Sequence, residues 1–334
     1  MKAYLMERPG SFAWGEVEPY DAPADWVTVA PTFVGLCGTD LHIYDGEYLG
    51  LPFPLAIGHE IVGIAQDGDF AGKLVAIDPV EGCGQCARCL AGTQNICAKV
   101  GIVGVNRNGG LAERVAISQD RLYLVPDGVP PTLAGVTEAL AVAVHAVGRV
   151  EINDSDVVAV IGGGPIGMLN AIVARDRGAA RVVVAEPAPL RRELAERLGF
   201  ETVDPVADPG GLAAALGADR ADVVFDCAGS PAVPPTLTTL VRSGGTVVVV
   251  GVYKDPNPIA LQDIVRREIT LAGTRALSGR DTPAALEVIR RRPEELSALV
   301  DATLPPEGTD DGLARLRRGE AMKILIDCSE LSGA

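Results

Sequence analysis

The sequence predicts an α/β protein in which a turn-rich β domain is joined to a doubly wound parallel sheet. Three patterns point there. The first third holds short apolar or alternating runs, Val27–Ala30, Ile61–Ala65 and Leu74–Ile77, punctuated by Gly, Pro and Asp. From Val157 the runs become continuously apolar, as in Val157–Ile161 and Arg181–Ala185, which is how strands buried on both faces read. Helical stretches then alternate with Asp222–Asp226, Thr246–Val250 and Ile269–Gly273, the order of a parallel sheet wound on both sides.

The totals set the outer bounds. A chain of 334 residues can bury two cores, and 48% hydrophobic residues mark it as globular. The net charge of −15 (29 − 44) argues against nucleic acid and anionic membranes, which need a basic face, and is read as solubility. Met1–Glu7 lacks the apolar run and cleavage site of a signal peptide, and no apolar run approaches ~18 residues, so no membrane span is expected. Of seven cysteines, four crowd into one segment. That suits metal ligation in a reducing compartment, and so a cytoplasmic protein, better than a disulfide framework.

Taken in order, the first informative stretch is Gly35-Leu36-Cys37-Gly38-Thr39-Asp40-Leu41-His42, read with Gly58-His59-Glu60. Thiolate, imidazole and carboxylate are the ligand types of a catalytic Zn²⁺ that keeps one position open. Thr39 and His42 add groups able to pass a proton to water. No part of the first third has helical period over any length. Cys83, Cys86, Cys89 and Cys97 follow with C-x2-C-x2-C-x7-C spacing, which can close a tetrahedron on a structural zinc. Four cysteines exceed a dithiol redox pair, the surroundings are not basic enough for a nucleic-acid module, and ligand count alone also admits an iron–sulfur cluster.

β character continues from Ala112 to Val125, Pro126, Pro130 and Pro131 mark a break, and Thr132–Val150 reads as one helix. Its single acid, Glu138, is either an exposed residue at the helix start or a further group of the zinc site. Next, the strand Val157–Ile161 leads into Gly162-Gly163-Gly164-Pro165-Ile166-Gly167 and an Ala-rich helix to about Arg177. Strand, G-x-G-x-x-G, helix, strand and acid form a dinucleotide fingerprint, with the pyrophosphate at the helix N-terminus. Glu186, 24 residues after Gly162, can accept hydrogen bonds from the adenosine ribose and repel a 2′-phosphate, which favours NAD. Arg191 and Arg192 keep NADP as the alternative. Cys227 and Cys328 are read as packing residues. A helix over Thr282–Arg292 and a strand over Lys323–Asp327 that rejoins the first domain complete the chain.

With these residues placed, the chain resembles the zinc-containing medium-chain dehydrogenases/reductases over nearly its full length. Cys37–Tyr44, Gly58–Glu60 and Gly104–Arg107 are similar to threonine dehydrogenases, and Thr137–His145 is similar to sorbitol and butanediol enzymes. The resemblance implies a GroES-like catalytic domain (1–143 and 278–334, with the zinc lobe at about 80–100) and an inserted Rossmann NAD-binding domain (144–277). It implies two zinc ions: a catalytic one on Cys37, His59 and either Glu60 or Glu138, and a structural one on Cys83, Cys86, Cys89 and Cys97. It also implies a proton relay of Thr39, the nicotinamide ribose and His42. Its NAD contacts fall at Gly162, Gly164, Pro165, Ile166, Gly167, Glu186 and Arg191, at Val250-Gly251-Val252, and at Thr274-Arg275.

Four departures stand out. Ile64–Lys73 is short, and Asp69 sits where the common pattern has Gly or Ala. The tail Leu304–Glu320 is compressed. Glu138 replaces the Asp of threonine dehydrogenases and lacks the following Pro of sorbitol enzymes. The implied activity is hydride transfer between a secondary alcohol and NAD(H), on a polyol, vicinal diol, cyclitol or aminocyclitol, or β-hydroxy amino acid. The family pattern adds a homodimer or homotetramer. A zinc-free NADP-dependent reductase and a non-catalytic nucleotide-binding homologue are the competing readings.

Overall fold

The computed structural model describes residues 1–332; residues 333 and 334, within the expected catalytic segment, lie outside it. In chain order the strands are β1 (Lys2–Arg8), β2 (Ser11–Glu16), β3 (Trp26–Gly35), β4 (Glu60–Ala65), β5 (Leu74–Ile77), β6 (Val80–Glu81), β7 (Gly101–Ile102), β8 (Val115–Ser118) and β9 (Leu122–Leu124). Then come β10 (Val157–Ile161), β11 (Arg181–Ala185), β12 (Glu201–Val203), β13 (Ala221–Asp226), β14 (Val241–Val249) and β15 (Thr270–Gly273), and last β16 (Val300–Leu304) and β17 (Lys323–Asp327). The chain divides into two compact units, Met1–Ala141 with Ala276–Ala334, and Val142–Arg275.

In the first unit a sheet runs β16-β17-β3-β4-β5-β9, with β8 also paired to β3. β3 is its spine. It pairs antiparallel with β4, β8 and β17, the last fixing Leu325 opposite Gly35, so the C-terminal strand does return to the first part of the chain. β3 buries Val27 and Val29 and, past an irregularity, Val34, in a core shared with Ile61, Val75, Ile77, Ile117, Ile324 and Ile326. Pro31 cannot donate to a ladder, and the β3–β4 register shifts just after it. Gly63 faces that irregularity: a Cβ there would stand 2.2 Å from the Ala30 carbonyl oxygen.

Two helical expectations need correction. Gly38–Tyr44 is a helix although no apolar period announces it. Its start is made locally, by the Asp40 carboxylate accepting the Cys37 N–H at 2.9 Å. The segment read as one helix over Thr132–Val150 forms two, Pro131–Ala134 and Thr137–Val147. Gly135 separates them where a side chain would crowd Leu325, and Thr137 restarts the second by donating its hydroxyl to the Ala134 carbonyl at 2.6 Å.

The second unit is a six-stranded sheet in the order β12-β11-β10-β13-β14-β15, parallel throughout. Its inner strands are buried as their continuous apolar runs require, with Ala159, Val183, Val224 and Val247 in one core cluster, while the edge strands β12 and β15 are half-buried to exposed. The strand expected at Thr246–Val250 begins earlier, at Val241, with an irregular register against β13. The order reverses at β10, whose neighbours β11 and β13 lie on opposite sides, so the sheet has the crevice where such folds bind ligands. The architecture is α/β, with a GroES-like β unit and a Rossmann unit. Among the described residues no helix is long and apolar enough to cross a membrane.

Replacing Gly63 with Ala forces a methyl group into the Ala30–Pro31 backbone. The variant is expected to lose about 1–3 kcal/mol of stability, read from the denaturant midpoint; an unchanged midpoint would show that β4 yields freely there.

Candidate metal centres and dinucleotide site

Three adjacent strands build the first centre. Gly35, the last residue of β3, pairs with Glu60, the first of β4, so Cys37 just beyond β3 and His59 just ahead of β4 emerge side by side. Ligand atoms of Cys37, His59 and Glu60 all lie within 4.8 Å of one another. His59 and Glu60 are buried and Cys37 is half-buried. Gly35 is required here, since a Cβ on it would sit 2.0 Å from a Glu60 carboxylate oxygen.

The donor set fits a metal ion. A sulfur, an imidazole nitrogen and a carboxylate oxygen are the mixed soft and hard donors that Zn²⁺ accepts. Asp40, fully buried, stands 3.6 Å from His59 Nδ1, and neither that nitrogen nor Asp40 Oδ1 has a hydrogen-bond partner. A carboxylate facing one imidazole nitrogen leaves the other as the ligand atom. Burial opposes a proton on His59, but Asp40 and Cys37 outweigh it and raise its pKa well above the ordinary histidine value. Glu60 is held from behind: Lys323 Nζ donates to both its oxygens at 2.6 and 2.7 Å and to the Leu36 carbonyl at 3.1 Å.

Glu138 lies in the first turn of its helix and is buried, so the exposed reading of this residue is overturned. Burial lifts its pKa to about 7, with His59 pulling it down and Glu60 pushing it up. It is therefore within electrostatic reach of the trio, though outside the set of three atoms within 4.8 Å. Thr39 and His42 are three apart on the Gly38–Tyr44 helix and share a face. His42 Nδ1 is 2.5 Å from a Glu47 carboxylate oxygen, and its ring is about half exposed.

The four-cysteine lobe is built over fifteen residues of local chain. Sulfur pairs Cys86–Cys89, Cys86–Cys97 and Cys83–Cys89 stand 3.6, 3.8 and 4.0 Å apart. Thiolates about 2.3 Å from a central zinc stand about 3.8 Å from one another, so the cluster is of the right size. Backbone amides of Gln85 and Cys86 bring the Cys83 thiol down to about 6, whereas burial lifts Cys89 to about 11. Cys227 and Cys328 are apart from both centres, and burial raises their thiol pKa values.

The residues expected to hold a dinucleotide gather at the C-terminal ends of four strands. Gly162 to Gly167 follow β10, Glu186 follows β11, Val250-Gly251-Val252 follow β14 with Val250 at its end, and Thr274-Arg275 follow β15. Gly162 turns the chain with φ +94°, and a Cβ on Gly167 would stand 1.7 Å from the Gly162 carbonyl oxygen. This turn delivers Pro165 and Ile166 into the first turn of the helix Pro165–Asp176, whose N-terminal N–H groups have no side-chain cap and suit an anion. Glu186 is buried and accepts from Gly163 N at 2.7 Å and Ala188 N at 2.8 Å, which fixes it beside the glycine turn. Arg191 extends to within 3.5 Å of the point where a Gly164 Cβ would be. Its Nε and the Thr274 hydroxyl are buried without a partner, as groups awaiting a polar ligand would be. Arg192 is committed elsewhere, to Asp204 at 3.0 Å and to the Glu186 and Pro187 carbonyls.

Comparison with known proteins agrees with this arrangement. Residues 23–127 match the alcohol dehydrogenase GroES-like domain and residues 165–291 the zinc-binding dehydrogenase family. The chain belongs to the zinc-containing medium-chain alcohol dehydrogenase family and is an enzyme acting on CH–OH groups. It is 32% identical over 89% of its length to 2-dehydro-3-deoxy-L-galactonate 5-dehydrogenase of Pseudoalteromonas atlantica, covering 90% of that protein. It is 33% identical over 84% of its length to L-galactonate-5-dehydrogenase of Escherichia coli K12, covering 85% of it. The RspB structure from Escherichia coli CFT073, complexed with NADH, superposes with a TM-score of 0.91 at 26% identity, covering 98% of this chain and 99% of that one.

Sequence reasoning missed Lys323, Asp40, Glu47, and the Asp226–Tyr253 pair at the end of β13, where the tyrosine hydroxyl donates to the carboxylate. Only Asp40 carried a local signal, three residues after Cys37 at a helix start. Lys323 lies 263 residues from its partner and was visible as no more than the first residue of a strand. Replacing Lys323 with Met leaves the buried Glu60 carboxylate without its cation. A loss of about 3–5 kcal/mol of stability is expected, measured by chemical denaturation of the metal-free protein; a loss under about 1 kcal/mol would mean the pair is dispensable.

Proposed function

We propose that this protein is an NAD-linked, zinc-dependent dehydrogenase of a secondary alcohol in an open-chain sugar acid or polyol. The observation that carries this reading is the trio of half-buried Cys37 with buried His59 and Glu60, next to the helix that bears Thr39 and His42. Both sequence relatives described above are named as 5-dehydrogenases of a galactonate, which supports a secondary hydroxyl of a six-carbon acid or its polyol counterpart as the substrate class. On this reading residues 1–143 and 278–334 form the catalytic domain and 144–277 the nucleotide domain.

Zinc, when bound, supplies Lewis acidity at the alcohol oxygen, and the dinucleotide supplies the hydride acceptor. The chain's own residues hold the metal and move the proton. Cys37 and His59 are its ligands, with Glu60, held in place by Lys323, or Glu138, electrostatically coupled to the trio, as the third. Thr39 accepts the hydroxyl proton as it gives up its own, and His42 carries the displaced proton to the surface. His42 Nδ1 is engaged by Glu47, which leaves Nε2 to take up the proton, and the half-exposed ring releases it to water. Cys83, Cys86, Cys89 and Cys97 close on a second, structural zinc.

Glu186 supports NAD over NADP: it is buried, fixed by two backbone amides at the end of the second strand of the glycine-turn unit, and its carboxylate would repel a 2′-phosphate. The edge position of β15, with Leu271, Val265 and Leu261 exposed nearby, supports a homodimer or homotetramer paired through that strand. Seven cysteines free of disulfides support a reducing, cytoplasmic setting.

Oxidation of galactonate-type acids and hexitols, followed by absorbance of the reduced cofactor, tests the assignment. Cys37→Ser and His59→Ala are expected to lower kcat by about a thousandfold or more, the equivalent of roughly 4 kcal/mol of lost transition-state stabilisation, while NADH still binds. Full turnover by either variant, or by the metal-stripped enzyme, would overturn the reading. Glu186→Ser is expected to shift the ratio of kcat/KM values toward NADP by about tenfold or more; an unmoved ratio would remove Glu186 from cofactor choice.

A further inference from the structure

Outside the two centres, the densest set of directed contacts in the first unit converges on one side chain, Arg107. Its Nε and Nη2 donate to the two carboxylate oxygens of Glu81 at 3.1 and 2.7 Å, and Nη2 also donates to the Ala116 carbonyl at 2.8 Å. The guanidinium lies 4.4 Å from the Tyr20 ring centre and 5.4 Å from that of Trp26, and the side chain is only 11% exposed. A bidentate pair stacked on two aromatic rings fixes an arginine in both direction and rotation.

What it fixes is the loop that supports His59. Glu81 ends β6, two residues before Cys83, and pairs with Gly101 of β7, four residues after Cys97. From β7 the chain turns back: Gly104 N donates to the Arg107 carbonyl at 2.9 Å, and Ile102 N to Asn106 Oδ1 at 2.8 Å. The returning segment then lies along Ala56–Gly58. Gly109 N donates to the Ala56 carbonyl at 2.7 Å, Gly110 N to Gly58 at 2.9 Å and Leu111 N to Ile57 at 3.1 Å, and Asn108 Oδ1 accepts from Ala56 N at 2.9 Å. Gly104, at φ +83°, comes so close that a Cβ would stand 2.2 Å from the Gly58 oxygen and 2.9 Å from the His59 amide nitrogen. The loop is thus clamped at one end to the cysteine lobe and pressed at the other against the residue preceding His59.

We infer that Arg107 is a positioning residue for the Cys37–His59–Glu60 metal site, acting by bracing the 103–111 loop between Glu81 of the cysteine lobe and the Gly58–His59 turn. The inference rests on the metal-centred reading given above. The contacts of Arg107 are with Glu81, Ala116, Tyr20 and Trp26. Its effect reaches the three donor residues through backbone: when the brace is lost, the turn can move, and the imidazole departs from the place where sulfur and carboxylate wait. Outer partners of this kind typically change metal affinity by about 10–100-fold.

The experiment uses full-length protein loaded with Co²⁺. The absorption band that depends on Cys37 is isolated by subtracting the spectrum of Cys37→Ser, and its loss is titrated with a chelator to give a dissociation constant. Arg107→Gln and Glu81→Gln are each expected to weaken Co²⁺ at that site by about tenfold or more and to shift the band. The double variant should be no weaker than the worse single one, because both remove the same brace. Arg107→Lys, which keeps the charge but not the fork, should fall between Arg107→Gln and the parent, and it carries the test if Arg107→Gln does not fold. An unchanged band and dissociation constant in folded variants, even with a lower Tm, would overturn the inference and leave Arg107 a stabilising residue only. A parent protein without any Cys37-dependent band would instead overturn the metal-centred reading itself.

Discussion

A thiol, an imidazole, carboxylates and an ammonium crowd the buried end of one sheet, and that concentration of charge is the constraint on which the first unit depends. Each buried ion costs several kcal/mol unless it is paired. The chain meets this by register. β17, β3 and β4 lie side by side, so that Lys323 reaches both Glu60 and the Leu36 carbonyl, while Asp40 turns toward His59. The glycine at position 35 is part of the same solution, leaving open the volume that the Glu60 carboxylate fills. A site held this way is stiff because each charge is located by its partner, and stiffness is what a metal centre needs in order to keep an open position for substrate.

The two metal centres are made by opposite strategies. In the cysteine lobe every donor comes from one short stretch, and local turns aim backbone amides at the sulfurs. The Cys37 centre draws on three strands and a helix from distant parts of the chain. The lobe can therefore order itself with little help, whereas the second centre exists only once the sheet has formed. Between them runs the loop anchored by Arg107, a physical connection between the locally built site and the one assembled by tertiary structure.

The nucleotide unit follows a simpler rule. In a parallel sheet all strands end on the same side, so residues scattered from 162 to 275 in sequence arrive along one edge. At Gly162, Gly163 and Gly167 the glycine turn after β10 packs too closely against neighbouring chain to admit a side chain, and Glu186 is tied to that turn by Gly163 N. The same end of the sheet carries a backbone-anchored carboxylate, Glu186, and an arginine, Arg192, that is paired with Asp204.

Much of this was legible in the residues alone, wherever the signal was local. Four cysteines at fixed spacing, a glycine turn between two buried runs, and Cys37 with His59 and Glu60 all declared themselves, as did the alternation of strand and helix. Where the reading failed, the cause was non-local or too short to have a period. The seven-residue helix at Gly38 is started by one carboxylate and not by an apolar stripe. The helix expected through Gly135 stops there, at a position where a side chain would crowd Leu325 from the far end of the chain. Lys323 gains its meaning only from Glu60. The sequence by itself determined which donor atoms and which turns this protein has, because covalent spacing and backbone conformation are properties of neighbouring residues. Tertiary structure alone decided which charges are buried together and what neutralises them, because strand register, set across hundreds of residues, chooses each buried ion's partner.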